Sequence, residues 1–337
     1  MAGDGSTRYG SAVLCRASVI ASTETRRRWQ ASWPISLHSA LKPLQQGAGD
    51  PCLALGRSGA REWVWRTVDT PDGSAVQYLE ADRGEVTATS WGPGAEFLAH
   101  RLPLDLGAGD HIGDFNAVEA VAHAHSARLR ERGPQLLRHW RVPAVRAVPQ
   151  VLVAAILGQR VTGIEAHRGW AHVVRTCGES ARTFTSAAPA HMVVPPSLAQ
   201  WLAIPSWVWH RAGVDAARSQ TVVRCLTALT ATDVWTAEPS HVRARLRAVG
   251  GYGVWTDALL ATQSFGDADS VPFRDFHICH AVCHAFTGAH RGSDEQMAQL
   301  LSRWMGHRFR IVRMVALAGV SAPRHGPRLA PSDHRGR

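Results

Sequence analysis

The chain has 337 residues, 45% of them hydrophobic, which at roughly 100–200 residues per domain suffices for a sizeable core and about two domains. Its formal net charge is +10, and apart from Lys42 all of its Lys-plus-Arg content is arginine. No apolar run reaches the roughly 20 residues that span a bilayer, and the cysteines at 15, 52, 177, 225, 279 and 283 form neither a CxxC pair nor a disulfide framework.

A membrane-spanning helix and a small disulfide-stapled scaffold are thereby excluded. The basic excess argues for a polyanionic partner, because arginine contacts phosphate bidentately. A GC-rich genome inflates arginine just as well, so charge alone leaves the partner open. Arg8, Arg16 and Arg26 to Arg28 make the N-terminus a poor secretory signal, and a reducing cytoplasm is the expected compartment.

Residues 1–32 are rich in Ser, Thr, Gly and Arg without sustained periodicity and read as a flexible tail. From Trp33, short alternating segments near Leu53, Trp63 to Val68, Ala75 to Leu79 and Glu85 to Thr89 are separated by Gly- and Pro-containing turns. They predict a small antiparallel β-rich domain over 33–106, its sheet running to about Leu104. The pattern then turns helical, with helices expected over 117–132, 147–157, 163–176, 197–202, 216–229, 241–249, 254–265, 275–286, 294–305 and 308–319. Residues 107–320 read as an all-helical domain and 321–337 as a basic, disordered tail. The expected class is α+β, mostly α-helical with a small N-terminal antiparallel sheet.

The segment 246–256 is the most informative. One helix is expected to end at Val249, Gly250, Gly251 and Gly253 crowd a tight turn, and a second helix starts near Val254. Glycine permits positive φ and close backbone approach. N–H groups left free at the second helix start, with its dipole, suit a phosphate. Such a contact fixes position on a duplex without reading its sequence. An ordinary αα-corner has the same spacing, and spacing alone favours neither. Asp275 lies 20 residues after Trp255, between Pro272 and an apolar helical pattern; in isolation it reads as a helix N-cap. Asp267 and Asp269 read as solvated loop acids.

Hairpin, spacing and Asp275 together resemble the helix–hairpin–helix DNA glycosylase superfamily, in which the catalytic Asp starts the helix after the hairpin. The resemblance covers about 115–319, with local motifs at 156–163, 247–256 and 271–278. It is nearest to the bacterial 3-methyladenine DNA glycosylase II branch, whose extra N-terminal domain the expected sheet fits. It implies a base-excision repair enzyme that flips a damaged nucleotide out of double-stranded DNA and hydrolyses the N-glycosidic bond. Asp275 would stabilise the oxocarbenium-like sugar and orient or deprotonate the attacking water. Gly250 replaces the family's Pro, while Gly251 and Gly253 keep its two key glycines and, with Thr256, are the expected DNA contacts of the hairpin. Carbonyls of this loop bind a monovalent cation in the family; by position they are those of Arg247, Val249 and Gly251.

Members that also nick the strand carry a Schiff-base Lys where this chain has Trp255, so the resemblance implies a monofunctional enzyme. The four closely spaced cysteines of the iron–sulfur branch are missing, and no cofactor is expected beyond the hairpin cation. Trp255 matches an aromatic pocket wall suited to cationic purines of the 3-methyladenine and 7-methylguanine type, core packing being the plainer reading. Leu259 stands where the branch has a further aromatic. Gln159 and Arg160 match the segment whose last residue fills the gap left by a flipped base; a phosphate-binding or solvated Arg160 is the alternative.

Trp201, Trp207 and Trp209 offer a stacking platform or, more simply, core packing. Cys279, His280, Cys283 and His284 cannot wrap a zinc tetrahedrally from one helical turn. Two other readings stay open. A non-catalytic helix–hairpin–helix DNA-binding protein leaves Asp275 unexplained, and a glycosylase for oxidised, deaminated or mismatched bases needs hydrogen-bonding pocket groups. The protein is expected to act as a monomer, on the nucleoid of a bacterial cytoplasm.

Overall fold

The computed structural model describes residues 24–113 and 115–323; of the tails expected over 1–32 and 321–337, the parts 1–23 and 324–337 lie outside the described residues. Strands β1 (Glu24–Gln30), β2 (Leu53–Ser58), β3 (Arg61–Thr70), β4 (Gly73–Asp82) and β5 (Glu85–Trp91) form an antiparallel sheet in the order β1-β5-β4-β3-β2. Helix α1 (Leu37–Leu41) lies between β1 and β2. Ser58 faces Arg61, Thr70 faces Gly73 and Asp82 faces Glu85, so each hairpin closes on two residues. At the last, Arg83 (φ 49°) and Gly84 (φ 87°) are both left-handed, as the twist of a tight hairpin requires.

Two expectations are corrected here. Residues 24–30 are not tail but the strand β1, paired with β5. Thr25, Arg27 and Trp29 are half-buried between exposed neighbours; three consecutive arginines mask that alternation in any hydrophobicity pattern. The inward Arg27 donates to the carbonyls of Ala99 and His100 at 2.8 and 2.9 Å. The sheet also ends at Trp91, before α2 (Ala95–Asp105), whose Ala95, Leu98, Ala99 and Leu102 form one buried helical stripe.

Beyond α2 come α3 (Ala117–Val121), α4 (Ala127–Arg138), α5 (Val148–Leu157), α6 (Gly163–Cys177), the short strands β6 (Glu179–Ser180) and β7 (Val193–Val194), α7 (Leu198–Leu202), α8 (Ser206–Arg211) and α9 (Ala216–Leu229). Then follow α10 (Pro239–Arg247), α11 (Val254–Ser264), α12 (Ile278–Thr287), α13 (Asp294–Leu301) and α14 (Arg308–Leu317). The helix expected over 117–132 is split, because the Ser126 hydroxyl accepts the Leu129 N–H and starts α4 anew. The architecture is the expected α+β class. No described helix is long and apolar enough to cross a membrane.

The apolar residues gather in two main clusters. One joins Val64, Leu79 and Val86 of the sheet to Leu152 of α5, Val222 of α9 and Leu260 of α11. The other joins Leu129 and Trp140 to Val282 of α12, Met297 of α13 and Ile311 and Met314 of α14. The sheet therefore shares its core with the middle helices. The segment after α2 is pinned to α14 by Arg310, fully buried, whose Nη1 and Nη2 reach Asp110 at 2.8 and 2.6 Å. Removing one partner of a buried pair leaves an uncompensated charge. Arg310→Met should cost about 3–5 kcal/mol, seen as a lower urea midpoint at constant m-value; a loss under about 1 kcal/mol, as for a surface pair, would contradict this role.

Candidate active site

Helix α10 stops at Arg247, two residues earlier than expected, and α11 begins at Val254. Between them Gly251 is left-handed (φ 97°), and a Cβ on it would lie 2.5 Å from Thr221 Oγ1 and 2.8 Å from Thr221 Cγ2 of α9. Backbone and space both demand glycine there. A Cβ on Gly250 or Gly253 meets nothing within 4 Å. Gly253 offers no side-chain cap, and the first internal bond of α11 is Asp257 N–H to Gly253 O at 3.0 Å. The N–H groups of Val254, Trp255 and Thr256 thus lie at an uncapped helix end, an arrangement that suits an anion.

The turn between α5 and α6 reaches this hairpin. Gln159 Nε2 donates to Gly251 O at 3.1 Å and to Thr256 Oγ1 at 2.9 Å. The side chains of Gln159 and Thr256, both expected at DNA, bond to each other and brace the two elements; Thr256 is buried. Arg160 is exposed, makes no hydrogen bond or ion pair among the described residues, and sits at φ 57°, a conformation costing a non-glycine residue about 1–2 kcal/mol. Buried Arg218 of α9 holds the end of α5 behind it, donating to Leu157 O at 2.8 Å and pairing with Asp215 at 2.7 Å.

Asp275 precedes α12 rather than beginning it. Its Oδ1 accepts the N–H groups of His277 and Ile278 at 2.8 and 3.1 Å, and its Oδ2 accepts the indole N–H of Trp255 at 3.1 Å. The N-cap of α12 is His277, not Asp275 as expected; one oxygen of Asp275 holds the turn that leads into the helix, and the other is held against the hairpin helix. Trp255 also closes on the α5 turn, where a Cβ on Gly158 would lie 3.2 Å from its ring. Leu259, one turn further along α11, is half-buried. Phe276, beside the carboxylate, is 70% exposed, its ring against His277 and His280. It escapes a sequence reading that runs α12 back to Asp275, because it then looks like helix interior.

Asp267 and Asp269 are not solvated acids. Asp267 accepts Arg243 Nη1 at 3.2 Å and the N–H groups of Asp269 and Ser270 at 2.7 and 3.0 Å. Asp269 accepts Arg308 Nε at 2.9 Å and Nη2 at 2.5 Å. Burial pushes the Asp269 carboxyl up, but the bonds from Arg308 outweigh it and hold it below the usual range. Asp257, in the first turn of α11, goes unnoticed in the sequence. It accepts Arg243 at 2.7 and 3.1 Å, Arg247 at 2.7 and 3.2 Å and the Tyr252 hydroxyl at 3.0 Å. Burial raises its carboxyl, and the two guanidinium groups more than reverse that.

The remaining sequence candidates have other work. Trp201 stacks between Trp170 and Trp209 in the core, while Trp207 is 53% exposed under the Arg211 guanidinium. His280 and His284 bond the carbonyls of Gly292 and Ala289. Among the described residues no group of three or more His, Cys, Asp or Glu side chains could hold a metal. Of the three hairpin carbonyls expected at a cation, those of Val249 and Gly251 each accept one hydrogen bond and keep a second lone pair. Val249 O accepts the Tyr252 N–H, Gly251 O accepts Gln159, and the Arg224 guanidinium lies on Gly250 O at 3.1 Å.

The hairpin geometry separates its glycines. Gly251→Ala should strain the turn by about 1–3 kcal/mol and weaken duplex binding, whereas Gly250→Ala should stay within about 0.5 kcal/mol of the parent. Melting curves and salt-titrated duplex affinities measure both; equal behaviour of the two variants would contradict the assignment.

No family model matches the chain, and no curated protein matches it in sequence. Solved structures do. The 3-methyladenine DNA glycosylase of Archaeoglobus fulgidus superposes with a TM-score of 0.66 at 13% identity, over 87% of this chain and 98% of that one. MBOgg1 in complex with a low-affinity DNA ligand gives 0.64 at 11% identity, over 88% and 95%. The 8-oxoguanine glycosylase/lyase of Clostridium acetobutylicum with DNA gives 0.63 at 8% identity, over 88% and 96%. The chain has the fold shared by these DNA glycosylases.

Proposed function

We propose that the chain is a monofunctional DNA glycosylase that removes alkylated purines of the 3-methyladenine and 7-methylguanine type from double-stranded DNA, acting as a monomer. The observation that carries this reading is the contact between Trp255 and Asp275, which sets a carboxylate directly beside an uncapped, phosphate-ready helix end. The grip on the backbone and the reactive group are thus neighbours.

In this reading the N–H groups of α11 hold a phosphate, the damaged nucleotide rotates out of the stack, and Arg160 fills the gap. The indole face of Trp255 receives the cationic base. The bond from sugar C1′ to the base nitrogen breaks, its electron pair neutralising the alkylated base. Asp275 Oδ2 stabilises the positive sugar, water adds at C1′, and its proton passes to the carboxylate and then to solvent. No step needs an ion at the hairpin. Strand cleavage through a lysine Schiff base has no lysine to use. Lys42, the chain's one lysine, has its ammonium on Gln45 ahead of β2.

Asp275→Asn keeps an oxygen for the N–H groups of His277 and Ile278 but removes the charge and the acceptor of the Trp255 indole N–H. On methylated duplex DNA it should release bases about 100-fold more slowly or worse, while binding an abasic-analogue duplex as the parent does. Undiminished release would overturn Asp275 as the catalytic group. Release from 8-oxoguanine duplexes but not methylated ones would overturn the substrate class.

A further inference from the structure

Resting on the glycosylase reading, we propose that Arg243 is a positioning residue that ties the loop carrying Asp275 to the DNA-gripping hairpin. The connection runs from Tyr252 at the hairpin through Asp257 and Arg243 to Asp267.

One planar guanidinium serves both sides. Arg243 Nε and Nη2 form a bidentate pair with Asp257, while Nη1 reaches Asp267 at 3.2 Å and Nη2 reaches Ser270 Oγ at 3.1 Å. Its side chain is 18% exposed and that of Asp257 11%, so the pair is shielded well beyond an ordinary surface contact. Asp257 gathers the hairpin, taking the Tyr252 hydroxyl and Arg247 as well. Asp267 turns the loop by accepting two of its N–H groups.

The loop crosses between the two apolar clusters, from Leu260 in the first to Val271 in the second. Two acids two residues apart fasten it to opposite sides, Asp267 to Arg243 of α10 and Asp269 to Arg308 of α14. Asp275 acts on a sugar whose phosphates the hairpin holds, so the hairpin-to-loop distance sets its aim. Lysine is a point charge without the fork that spans both acids.

Asp267→Asn leaves an oxygen for the loop N–H groups and weakens the links of Oδ2 to Arg243 and to the Ser270 hydroxyl, so it stays informative if Arg243→Gln folds badly. Three quantities decide the matter: the single-turnover release rate from a 7-methylguanine duplex, the affinity for a duplex with a tetrahydrofuran abasic analogue, and hydrogen exchange of 266–278 with and without that duplex. Asp267→Asn and Arg243→Gln should slow release about 10–100-fold with affinity changed less than about threefold, as for a small misplacement of a reactive group. Arg243→Lys should fall between them and the parent. DNA should protect both 248–256 and 266–278 in the parent but only 248–256 in the variants. An unchanged rate, a rate loss matched by the affinity loss, or retained protection of 266–278 would overturn the role. A parent that releases no base would sink the glycosylase reading, and the exchange comparison would still decide the link.

Discussion

The indole N–H of Trp255 on Asp275, at 3.1 Å, is the contact at which the two halves of the site meet. Trp255 stands on α11, whose Leu260 belongs to the cluster shared with the sheet, and Asp275 precedes α12, whose Val282 belongs to the other. A single hydrogen bond of modest net strength cannot hold two packed bodies in register by itself. It persists because the segments around it are fixed independently. Gln159 ties the α5 turn to the hairpin, Thr221 fills the space under Gly251, and Oδ1 of Asp275 is committed to the start of α12.

Arginine does much of that fixing, and its chemistry explains why. A guanidinium offers five N–H donors in a rigid plane and stays charged when buried. Arg66, Arg218 and Arg310 are all at most 6% exposed, each on a carboxylate or a carbonyl. Each of the three is matched by an acid, Asp105, Asp215 or Asp110, so this internal framework is neutral and accounts for none of the +10 excess. Arg160, exposed and unpaired among the described residues, is the arginine that the proposed function places in the gap left by a flipped base.

What was legible in the sequence was local. Glycines at fixed offsets, Asp275 at 20 residues from Trp255, and helical periodicity all act over short stretches, and each leaves a pattern in consecutive residues. β1 was hidden because its inward positions include Arg27, and α2 because its apolar stripe followed a run of strands. The partners of Asp257 and Asp269 were out of reach for a different reason. Arg243 lies 14 residues from Asp257 and Arg308 lies 39 from Asp269, distances over which no periodicity links a charge to its counter-charge. Asp267 and Asp269, which look solvated in sequence, thus fasten the loop that carries Asp275.

The most direct measurement uses a duplex with one 7-methylguanine at a known position and a labelled strand, incubated with excess protein. The account predicts release of free 7-methylguanine, a strand that stays intact until alkali is added, and no covalent complex trapped by borohydride. Strand breaks without alkali, a trapped adduct, or no alkali-labile site at all would contradict it.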